Sequence, residues 1–167
     1  MSRAADYTIK GFLYQFNKSI LEVLNSPEGS TITVEGIVED VEIATPSLIK
    51  AIQCKYHEAS ETFTVSSIFK PLLQMMHHFH ANPGANIRYV LFAHFPSVEE
   101  TPKPKIGKTD LQNALNSNNA DLKKYVDALK GGVNLGGLLT RFDMEFGPAF
   151  DEPARVNSFE TLPHGNY

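Results

Sequence analysis

Cysteine is almost missing from this chain. Cys54 stands alone among 167 residues, which excludes an internal disulfide framework and a zinc knuckle built on several thiolates. Long apolar runs are missing too: no stretch approaches the roughly 18 apolar residues of a membrane span. The N-terminus, MSRAADYTIK, has no apolar leader segment, so the expected location is the cytoplasm. Nor is there an excess of positive charge. A net charge of −4 runs against the basic surface that phosphate contact favours, although an acid-lined metal site would itself lower the total.

The rest of the composition is that of a single soluble domain with a real core, 42% apolar and 20% charged. Periodicity predicts a helix from Tyr7 to Asn25, with Phe12, Leu13, Phe16, Ile20, Val23 and Leu24 as a stripe for packing on a sheet. Gln15, Ser19 and Glu22 form its polar flank. The turn around Pro27 and Gly29 ends it. Thr31 to Ile43 reads as one long strand or two short ones, and Ser47 to Glu58 as another. A helix from about Val65 to Ala81 and an apolar strand from Ile87 to Phe95 complete a β-helix-β unit. Short helices follow at Asp110 to Leu115 and Ala120 to Leu129, with a last strand at Leu138 to Phe146. The expected domain is 1–147, with 148–167 a tail or a junction to a further domain.

Chemistry concentrates in two strands. The first, ITVEGIVEDVEI, carries Glu35, Glu39, Asp40 and Glu42. The second carries Gln53 and Lys55, two apart and therefore on one face. A lysine at the end of a buried strand needs a partner. An acid beside a Gln-x-Lys is a candidate hard-cation and phosphate site, since Mg²⁺ takes oxygen ligands and keeps several waters. The alternative is a lysine reaching out of a sheet edge beside ordinary surface acids. His77, His78 and His80 tempt a metal assignment, but they also suit a helix C-terminus, where imidazoles complement the dipole.

Three stretches together resemble the restriction-endonuclease-like PD-(D/E)xK superfamily, in its Mrr-like branch: Gly11-Phe12-Leu13-Tyr14-Gln15, Glu35 to Asp40, and Ile52-Gln53-Cys54-Lys55-Tyr56. They are also similar to the N-terminal double-stranded DNA endonuclease domain of bacterial anti-phage effectors of the CBASS type. The resemblance covers roughly residues 8 to 95. It implies an α/β fold with a restriction-endonuclease-like core, a central mixed β-sheet flanked by helices. It further implies a Mg²⁺- or Mn²⁺-dependent endonuclease acting on double-stranded DNA. Asp40 and Gln53 would hold the metal, Lys55 would serve the attacking water, and Gln15 would support the site from the helix. Glu35 and Glu39 are supporting acids. Lys10, Lys18, Lys50, Lys103, Lys105 and Lys108 are candidate phosphate contacts. Position 39 is Glu where the superfamily is named for proline, and position 53 is Gln where Asp or Glu is usual. The second departure removes a negative ligand. It leaves open a catalytically degenerate domain that binds DNA or protein within a larger defence assembly, and a plain interaction module. The same resemblance implies control of cleavage through a homo-oligomer or a regulatory sensor or ATPase module.

Overall fold

A computed structural model describes residues 3–34, 40–57, 62–98 and 103–148, with side chains from Tyr7 onward. Helix α1 spans Arg3–Asn25. It ends where Ser26 and Asn25 turn their side chains back onto the carbonyls of Glu22 and Leu21. Gly29, at φ 83°, takes the left-handed turn that follows. Strands β1 (Thr31–Val34), β2 (Val41–Ala44) and β3 (Ile49–Tyr56) form an antiparallel meander. A 3₁₀ turn at Val65–Ile68 leads into α2, Phe69–Ala81. Strand β4, Ile87–His94, then lies parallel to β3. Helices α3 (Lys108–Leu115), α4 (Lys123–Ala128) and α5 (Leu135–Leu139) precede β5, Phe142–Phe146, which is parallel to β4. The result is a mixed α/β domain whose five-stranded sheet runs in the order β1-β2-β3-β4-β5, with helices on its faces. No helix among the described residues is long and apolar enough to cross a membrane.

The side chains of β3 and β4 alternate between two unequal cores. Ala51, Tyr89, Leu91 and Ala93 face α2, where they join Leu72, Leu73, Met75, Met76 and Phe79, with α3 and α5 closing over them. Ile52, Cys54 and Val90 face the other way and meet Tyr14 of α1, with Val41 and Ile43 from β2. Helix α1 covers that second, smaller core.

Two expectations change here. The apolar stripe of α1 does not pack on the sheet: Phe12, Phe16, Val23 and Leu24 are exposed, while Lys18, Ser19 and Glu22 are buried. The reason is electrostatic. Lys18 and Glu22 find partners on the sheet that compensate their burial, and Tyr14 supplies the apolar contact. Periodicity locates a face but not the direction in which it turns. Leu138 and Leu139 lie in α5 rather than in the last strand, because the Asn134 side chain accepts from Gly137 N–H and caps a short helix there.

Candidate functional site

Gln53 and Lys55 share the α2 face of β3, beside Leu91 and Ala93 of β4. Gln53 is buried at 6% exposure. Its amide nitrogen points to Gln74 Oε1 of α2, 3.4 Å away. Its own Oε1 is buried, with no hydrogen-bond partner among the described residues. A buried carbonyl oxygen left unpaired costs on the order of 1–3 kcal/mol, so this atom is a candidate acceptor for a ligand. Lys55, two residues on at the strand's C-terminal end, is half-buried.

Asp40 sits just before β2. Extending the β2–β3 register by one residue sets it opposite Gln53, because Val41 pairs with Ile52. Its Oδ2 accepts the Cys54 N–H at 2.6 Å, where a strand carbonyl would otherwise serve. Asp40, Gln53 and Lys55 are thus brought to one end of the β2–β3 pair. A hard cation takes oxygen ligands, commonly one or two carboxylates with waters and phosphate oxygens. One carboxylate and one unpartnered amide oxygen fit that requirement in kind. Among the described residues no three His, Cys, Asp or Glu side chains form a metal-binding group. Glu35 and Glu39 lie outside the described residues.

The other expected residues are scattered. Gln15 belongs to α1, on the opposite face of the sheet from Gln53. Lys18 is 6% exposed, 2.8 Å from Glu22 and 3.1 Å from Glu145, with its ammonium 4.3 Å from the centre of the Phe92 ring. It has no surface to offer a phosphate. Burial works against its charge, yet Glu22 and Glu145 outweigh that and raise its pKa. Lys50 binds the same Glu22 through both carboxylate oxygens. Burial pushes the Glu22 carboxyl up, but Lys18 and Lys50 outweigh it, and the net shift is down. Lys103, Lys105 and Lys108 are exposed and stay available to an anion. Of the three histidines on α2, His78 bonds the Tyr89 hydroxyl at 2.8 Å, whereas His77 and His80 are exposed.

Two groups escaped sequence reasoning. Gln74 was findable as the polar residue inside Leu72-Leu73-Gln74-Met75-Met76, an interruption in an otherwise buried helix turn. The second is an aromatic cluster at the C-terminal ends of β3 and β4. Tyr14 stacks on Phe92 at 5.0 Å, and Tyr56 on His94 at 5.2 Å. His94 Nδ1 lies 3.0 Å from the Gly147 carbonyl. A Cβ at Gly147 would collide with the Phe92 ring and the Tyr14 hydroxyl, so a side chain there would displace the cluster. Beneath this cluster the Cys54 thiol is pushed up to about 12, by burial first and then by the Asp40 charge. It is a protonated, unreactive thiol at neutral pH. Comparisons with protein-family models, curated proteins and solved structures return no match to this chain.

Proposed function

We propose that the domain is a metal-dependent DNA endonuclease with its centre at Asp40, Gln53 and Lys55. The observation that carries this reading is the Gln53 Oε1 atom, buried and unpartnered beside an acid and a lysine. The element order, a helix followed by a three-stranded meander, a helix and a parallel strand, supports the restriction-endonuclease-like core that the motifs imply.

In this reading Asp40 and Gln53 Oε1 would hold a Mg²⁺ or Mn²⁺ ion, while Gln74 holds the Gln53 amide nitrogen. The bound ion supplies Lewis-acid activation of a scissile phosphate and of a water. Lys55, at the end of β3, would orient or deprotonate the attacking water and offset charge growing on the phosphate. Lys103, Lys105 and Lys108 give a basic loop for the duplex backbone. An anti-phage defence role and control by a sensor or ATPase module follow from the same resemblance and stand or fall with it.

The test is plasmid cleavage in Mg²⁺ or Mn²⁺ by the wild type, Asp40→Ala and Lys55→Ala, with folding checked by circular dichroism. Loss of at least about 100-fold in both variants is expected. A second reading, a degenerate nuclease fold that binds DNA or protein, is favoured by one observation: Asp40 Oδ2 is already engaged by the Cys54 amide. Calorimetric titration with Mn²⁺ separates the two. Heat that Asp40→Ala and Gln53→Leu abolish supports the metal centre, and a wild type without heat supports the degenerate site.

A further inference from the structure

Between Gly11 and Asn25, helix α1 contains two charged residues, Lys18 and Glu22, and both are turned onto the sheet. The outward side is left apolar, with Lys10 and Asn17 on its flank. Ile9, Phe12, Phe16, Val23 and Leu24 fall on one side of the helix at 100° per residue and are each 44% to 57% exposed, whereas the exposed Tyr7 and Leu21 lie round toward the sheet-facing side. Isolated apolar residues on a surface are ordinary, but a continuous stripe along a helix of 23 residues is not.

We infer that this stripe is the interface through which two copies of the chain associate, as an antiparallel α1–α1 pair about a two-fold axis. The area fits. Five half-exposed side chains, the aromatics among them worth roughly 150–250 Å² each when whole, leave on the order of 500 Å² of apolar surface per copy. A standard interface takes about 800 Å² from each partner, and the half-buried Leu13 and Ile20 beside the stripe supply further contact. The charge pattern fits as well. An isologous contact brings a surface against itself, so any charge on it meets its own sign, and this stripe has none to repel. Phe16 lies midway between Ile9 and Leu24, close to the axis, where it meets its counterpart. Phe12 then faces Ile20 of the second copy.

The same neutrality disfavours other occupants. A helix lying on an anionic lipid surface carries Lys and Arg along its polar side, but here the polar side is buried against the sheet. A nucleic acid backbone needs cations that the stripe lacks. The inference is independent of the nuclease reading, since it rests on the opposite face of the sheet from Gln53.

Sedimentation velocity on the full chain tests it, comparing wild type with Phe16→Glu. The expected result is a dimer at tens of micromolar whose dissociation constant rises at least about 100-fold in the variant, with an unchanged circular dichroism spectrum. Should Phe16→Glu disturb folding, a short bismaleimide on Phe16→Cys provides the second measurement. It joins two copies there and not at an Asn118→Cys control, while buried Cys54 stays unmodified. A monomeric wild type, including one that instead binds anionic vesicles, overturns the proposal. So does a dimer that survives Phe16→Glu, or cross-linking equal at both positions.

Discussion

Helices α1 and α2 lie on opposite faces of one sheet and are built in opposite senses. Helix α2 turns Leu72, Leu73, Met75, Met76 and Phe79 onto the sheet and leaves His77 and His80 in water. Helix α1 turns Tyr14, Lys18, Ser19 and Glu22 onto the sheet and leaves Phe12 and Phe16 out. One helix is held by area removed from water, the other by a tyrosine and a set of ion pairs. The two attachments respond to different insults, and substitutions on each side separate them.

The largest effect belongs to the α2 side. Leu72 is fully buried, so Leu72→Ala removes its transfer free energy and leaves a cavity, at a cost of about 3–4 kcal/mol in urea unfolding. A loss under about 1 kcal/mol there would mean that the α2 core is loosely packed and the contrast between the helices false. Next comes Glu22→Ala, which takes the shared carboxylate from Lys18 and Lys50 and leaves Lys18 to Glu145. Removing one member of a buried pair costs about 3 kcal/mol, whereas the double variant Lys18→Met/Glu22→Leu recovers most of that loss. This side carries a pH signature of its own. The folded pKa of Glu22 is lowered, so its stabilisation is present above its ordinary value of 4.5 and is lost as pH falls below that value through the folded one. The folded pKa of Lys18 is raised, so its stabilisation is complete below 10.5 and is lost as pH rises beyond that value through the folded one. Unfolding of Glu22→Leu/Lys18→Met followed from pH 3 to 7 is therefore flatter than that of the wild type. Equal slopes would show that the network contributes nothing.

The sequence made the elements legible because periodicity and turn chemistry are local. The helix at Tyr7 to Asn25, the Gln53–Lys55 strand, the helix ending at Ala81 and the strand from Ile87 all stand where their patterns lie. What local pattern does not carry is pairing. Nothing in Lys18 or Glu22 announces Glu145, 127 residues away from Lys18, and without that partner the apolar stripe looks like the buried side. Asp40, Gln53 and Lys55 were readable as candidates by residue type and by strand alternation. The unpartnered Gln53 oxygen and its Gln74 neighbour required the sheet and α2 to be assembled first. For the same reason Gln15, placed beside Gln53 by motif order, belongs to the helix on the other face.

The smallest effect is expected at Phe12. At 57% exposure it contributes little to its own fold, and Phe12→Ser in protein diluted well below micromolar should change stability by no more than about 0.5 kcal/mol. The same change at Leu72 should cost at least as much as Leu72→Ala. Concentration sharpens the contrast further. A residue that matters only between copies costs nothing in dilute solution and progressively more as copies associate, because association stabilises the folded state by mass action. The wild-type melting temperature should therefore climb with protein concentration, that of Phe12→Ser should climb less, and that of Leu72→Ala should start lower and climb in parallel with the wild type. A wild-type melting temperature independent of concentration would leave the outward stripe of α1 without a partner of its own kind, and the asymmetry between the two helices would then need a different occupant to explain it.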